Sequence, residues 1–98
     1  MSQPTQIESL FNNLSWNILG EIEENMINLS EGLKINSSIQ ELNLNLNNLG
    51  ANERNMINLS DCLKINTSIE KLNLGNNQIG EEIKQKFFKE FPGINIQL

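Results

Sequence analysis

The groups in this sequence that stand at fixed spacing and could do chemistry are amides. Asn makes up close to a fifth of the chain, and Asn17, Asn47 and Asn77 are evenly placed, since 77 − 47 = 47 − 17 = 30. A side-chain amide both donates and accepts, so a stacked series of them can satisfy the orphan backbone groups of successive turns. That chemistry is structural. Catalytic sets are missing: the chain has no His, and Cys62 is its one cysteine. Neither a Ser/His/Asp nor a Cys/His arrangement can be assembled, and a zinc site lacks its usual donors. The carboxylate pairs Glu23–Glu24 and Glu81–Glu82 fall at expected helix starts, where the positive end of the helix dipole favours solvated acids. The glycines are singletons at turns and form no phosphate-cradling loop. The expectation is a protein that is not an enzyme and has no cofactor and no metal.

The elements that would position the amides are legible in IEKLNLGNNQIG, residues 69–80, and in its earlier copy IQELNLNLNNLG, residues 39–50. Leu72 and Leu74 alternate as a short strand does, with Asn73 facing the other way. Asn77 then turns the chain, and Ile79–Gly80 closes the turn. A helical pattern follows each turn. From Glu21 to Lys34, Ile22, Met26, Leu29 and Leu33 share one face, and Met56, Leu59 and Leu63 repeat it. Gly32 and Cys62 hold equivalent helix positions, and two small residues there predict close passage of a neighbour. In the last unit Ile83, Phe87 and Phe91 form the stripe, with Phe88 beside it, until Pro92–Gly93 breaks the helix. INIQL then alternates as a final strand. At the start, Thr5 and Glu8 have capping-box spacing, and residues 5–11 read as a short opening helix over the first edge.

Self-similarity at a period in the twenties to forties marks solenoids, whose units bury their apolar faces only by stacking. The pattern LxxLxLxxNxLG followed by a helix resembles a leucine-rich repeat, and LKINTSIEKLNLGNNQIGEE resembles the ribonuclease-inhibitor-like subtype. The resemblance implies an α/β fold: a short right-handed solenoid, with three to four parallel strands on the concave side backed by helices. The whole chain, 1–98, reads as one domain. Residues 1–20 are a degenerate N-terminal cap repeat, 21–50 and 51–80 full repeats, and 81–98 a capping helix and strand. The family includes a GTPase-activating protein for Ran; no residue set here carries that activity over, and regulation of a small GTPase stands as an alternative that only the resemblance implies.

In such a repeat, the strand positions between the core leucines face the concave side. These are Asn13, Asn43 and Asn73; then Ser15, Asn45 and Gly75; then Trp16, Leu46 and Asn76, with Phe11, Glu41 and Lys71 flanking. Trp16 beside Leu46 on an otherwise polar face has the character of a binding hot spot. The alternative is that the degenerate first repeat turns Trp16 inward to help close the core. The candidate protein-binding residues are therefore Trp16, Leu46, Asn43, Asn45, Asn73 and Asn76, and the structural ladder is Asn17, Asn47 and Asn77.

The formal net charge of −5 argues against a nucleic-acid partner. No apolar run is long enough to span a bilayer, and MSQPTQIE lacks the pattern of a secretory signal. With one cysteine and no signal, the expected setting is the reducing cytoplasm, and the N-x-Ser sequons at Asn13, Asn28 and Asn66 read as chance products of Asn abundance. Five acids, Glu8 to Glu31, precede the first basic residue, Lys34, whereas Lys84, Lys86 and Lys89 lie in the last helix. Such asymmetry suits head-to-tail stacking, so a homo-oligomer stands beside a protein partner of unknown identity as an expectation.

Overall fold

A computed structural model describes residues 11–98. Four strands, β1 (Phe11–Asn13), β2 (Glu41–Asn43), β3 (Lys71–Asn73) and β4 (Asn95–Gln97), form one parallel sheet in chain order. Parallel neighbours need a crossover. Three helices supply it: α1 (Glu23–Ile35), α2 (Glu53–Ile65) and α3 (Glu81–Glu90). The molecule is a small α/β domain. No helix among the described residues is long and apolar enough to cross a membrane. Residues 5–10 of the expected opening helix and the side chain of Phe11 lie outside the described residues, and the backbone of Phe11, its expected last residue, is strand.

The register follows the 30-residue period. Glu41 pairs Lys71, Leu42 pairs Leu72 and Asn43 pairs Asn73; Leu72 then meets Ile96, and Asn73 meets Gln97. Since side chains alternate along a strand, this puts Leu42, Leu72 and Ile96 on one face and Asn43, Asn73 and Gln97 on the other. The leucine face is buried against Met26 and Leu33 of α1, Met56, Leu59, Cys62 and Leu63 of α2, and Phe87 of α3. Each such Leu or Met removed from water contributes about 1.5–3 kcal/mol before entropy is counted. The amide face stays open to solvent.

Three departures from the sequence reading have physical causes. The helix expected from Glu21 begins at Glu23, because a 3-10 turn at Leu19–Glu21 precedes it. Ile22 thus falls at the N-cap in extended conformation and is 54% exposed, off the buried stripe that it was expected to join. Asn52 holds the same place before α2, and its side chain accepts from the Arg54 N–H at 2.9 Å.

The second departure concerns Gly32. Cys62 is fully buried and has Ser30 and Lys34 of α1 as neighbours, so the small residue of α2 does meet another helix. Gly32 is exposed, and a Cβ there would meet nothing within 4 Å. The corresponding side of α1 points away from α2, and no described helix stands beyond it. Burial pushes the Cys62 thiol up to about 11.

The third departure is at the end of the chain. Phe87 and Phe91 are buried and pack 5.5 Å apart, as the stripe predicts, but Phe88 is half exposed. α3 starts directly after Gly80 without a 3-10 turn and is ten residues long rather than thirteen. α1 and α2 lie side by side, whereas a cleft of about 300 Å³ separates α2 from α3, lined in part by Met56, Ile57, Ile83 and Phe87.

Candidate functional site: the amide face and its Trp16–Leu46 corner

Behind each of β1, β2 and β3 the chain turns through left-handed backbone. Trp16, Leu46 and Asn76 have φ of 67°, 62° and 56°, so the three hold equivalent places in successive turns. The turns are stitched together by main chain: the Trp16 N–H donates to Asn45 O at 3.0 Å, and the Leu46 N–H to Gly75 O at 3.1 Å. Gly20 and Gly50 permit this approach. A Cβ on Gly20 would collide with the Asn48 carbonyl, and one on Gly50 with the Gln78 carbonyl.

The amides beneath these turns divide by role. Asn77 is buried; its Oδ1 accepts from the Asn47 and Leu49 N–H groups at 2.8 and 3.1 Å. Its Nδ2 donates to Leu44 O, Leu74 O and Gly75 O. Asn47 does the same one unit earlier, accepting from Leu19 N–H and donating to Leu14 O. Each thus closes its own turn and the one before it. Asn17 is exposed and, among the described residues, bonds only within its own loop, to Leu14 O and Ser15 O.

Two further structural amides escaped the sequence reading. Asn55 of α2 is buried and donates to Gly20 O and Leu49 O, tying the helix to two turns. Its Oδ1 and the hydroxyl of Ser30 are buried without a hydrogen-bond partner among the described residues. Asn66 donates to Leu33 O and Asn36 O at 2.8 Å and accepts from Ser68 and Ile69 N–H. The available signal was the pairing of Asn25 with Asn55 and Asn36 with Asn66 at the 30-residue step.

The six residues of the proposed binding surface lie on the open side. Asn43 and Asn73 are half-buried in register, and Asn45 lies over Gly75, where Asn76 Nδ2 reaches its Oδ1 at 3.4 Å. These contacts join the 43/73, 45/75 and 46/76 columns into one surface. Leu46 is half-buried, and Trp16 is 79% exposed, which decides its orientation: it faces solvent, not the core. A depression of about 140 Å³ crosses β2, β3 and β4 on this face, lined by Glu41, Asn43, Lys71, Asn73 and Gln97 with Leu42. Glu41 and Lys71 are register neighbours of opposite charge, and neither is in an ion pair among the described residues. No group of His, Cys, Asp and Glu among those residues could hold a metal ion. In comparisons with known proteins, no family model and no curated protein matches the chain.

Proposed function

We propose that this chain is a short right-handed leucine-rich-repeat solenoid of the ribonuclease-inhibitor-like subtype. It acts in the cytoplasm as a non-catalytic protein-binding module, through the concave face formed by its sheet. Trp16 and Leu46 are the apolar anchors of that face, and Asn43, Asn45, Asn73 and Asn76 are its polar contacts. One observation carries the reading. Trp16 and Leu46 occupy left-handed positions that cost a side chain of this kind about 1–2 kcal/mol, and Trp16 does so while largely exposed. The third turn places Asn76 at that position, the residue type suited to it. Strain of this kind clusters at functional sites, and aromatic residues dominate binding energy at protein interfaces.

The test is affinity capture with the wild type and a Trp16→Asp, Leu46→Asp double variant, both shown to be folded by circular dichroism. The wild type is expected to hold a partner that the variant releases. Equal retention by both would remove the Trp16–Leu46 corner from the interface.

A second reading, self-assembly, is favoured by the apolar side chains left exposed in the first unit. Ile18 and Ile22 join Trp16 between the edge strand β1 and α1, and Ile35 ends α1. Light scattering across a dilution series separates the two readings, since a monomer at high concentration rules out assembly.

A further inference from the structure

The amide row on the open face is chemically one-sided. Asn13, Asn43 and Asn73 each accept, through Oδ1, the N–H two residues on: Ser15 at 3.0 Å, Asn45 at 2.9 Å and Gly75 at 2.9 Å. Those bonds fix how each amide is turned, and neither Asn43 Nδ2 nor Asn73 Nδ2 is a buried atom without a partner. No described residue accepts from any of the three Nδ2 groups. Gln97, in register with Asn73, adds a fourth amide to the row. Adjacent strands set the donors about 4.8 Å apart. Asn13, Asn43 and Asn73, which present N–H groups with an oxygen already engaged, suit a ligand rich in acceptors and poor in donors.

Two polymer classes answer that description: polyanions, and peptide segments rich in proline, whose residues keep the carbonyl but have no N–H. Charge decides between them. The chain carries −5 overall, and the two ionic groups flanking the row, Glu41 and Lys71, cancel. A polyanion is repelled, whereas a neutral proline-rich segment is not. Such a segment already populates the extended polyproline II helix with its carbonyls solvated, so little order is lost on docking. Exposed aromatic and aliphatic side chains are what its rings pack against in known recognition of this kind, and Trp16 and Leu46 stand at the edge of the row.

We propose that the open sheet face binds a proline-rich segment in polyproline II conformation, with its carbonyls accepting from Nδ2 of Asn43 and Asn73 and its rings lying on Trp16. This rests on the reading of the same face as a protein-binding surface, and it names the partner's chemistry.

The experiment is a titration with a ten-residue polyproline peptide, followed by the emission of Trp16, the one tryptophan in the chain. The comparison variant is Asn43→Asp, Asn73→Asp. Asp retains the oxygen that accepts from Asn45 and Gly75, so the turns survive, but replaces each Nδ2 donor by an acceptor. The wild type is expected to bind in the micromolar to millimolar range and to lose at least about tenfold in the variant, about 1.4 kcal/mol. A Gly-Ser peptide of equal length, which carries N–H groups, is expected to bind at least about tenfold more weakly than polyproline. Equal affinity of the variant, equal affinity for the Gly-Ser peptide, or no polyproline binding by the wild type would each overturn the proposal. If polyproline fails while affinity capture still shows a partner lost on changing Trp16 and Leu46, the binding face stands and its assignment to proline-rich segments alone falls.

Discussion

Two glycines of the same chain illustrate how far the meaning of a residue depends on what stands beside it. Gly32 lies inside α1 with open space around its Cα, and a methyl group there removes backbone freedom from the unfolded chain at no steric cost. Gly32→Ala is expected to stabilise the domain by about 0.5–1 kcal/mol. Gly50 sits against the main chain of the following turn, and the same methyl group would strike the Gln78 carbonyl. Because backbone cannot step aside as a flexible side chain does, Gly50→Ala is expected to cost about 1–3 kcal/mol. Chemical denaturation of the two variants beside wild type checks both signs. A destabilising Gly32→Ala would mean that the outer side of α1 is covered.

At the scale of elements, the strand–turn–helix order was legible because a period of 30 lets each copy confirm the other. Leu42 and Leu72 fell on the buried face, and Phe87 and Phe91 on the closing stripe, from spacing alone. The third helix begins at Glu81, as the Glu81–Glu82 pair indicates, but the spacing did not show where the first two helices start. The 3-10 turn at Leu19–Glu21 is built from the same local residue types as a helical first turn, so Ile22 looked like the first rung of the stripe. Its place at the N-cap becomes visible only with the backbone. Gly32 misled for a related reason: equivalent positions on two helices have equivalent neighbours only in the middle of a row. The amide face was legible in outline, as columns of Asn, but the direction of each amide follows from hydrogen bonds to Ser15, Asn45 and Gly75 that no spacing records. The N-cap makes a test. Ile22→Asn copies Asn52, adds an acceptor for a free N–H of the first turn and removes an exposed apolar side chain. It is expected to stabilise the domain by about 1 kcal/mol, read as a shift in denaturation midpoint at unchanged slope. An unchanged midpoint would show that Ile22 makes compensating contacts.

At the scale of the molecule, stability is unevenly spread. α2 buries Asn55, Met56, Leu59, Cys62 and Leu63 and has a helix on either side; α1 buries Met26, Ser30 and Leu33; α3 buries only Phe87 and faces the cleft. Local opening takes least free energy where fewest apolar groups must be exposed. Amide hydrogen exchange is therefore expected to be slowest in α2, intermediate in α1 and fastest in α3. Protection in α3 equal to that in α2 would mean that the cleft closes in solution and that the domain opens as one unit.

The amides that join successive turns also give the molecule a direction in time. The N–H groups of Leu19 and Gly20 and the carbonyl of Leu14 find their partners on Asn47, and those of Asn47, Leu49 and Leu44 find theirs on Asn77. A chain leaving the ribosome exposes the early turns first, yet each must wait about thirty residues for the side chain that locks it. At 5–20 residues per second that wait is on the order of seconds, long beside the microseconds in which a helix forms. The first turn is thus synthesised open and closes from downstream, one translated repeat late.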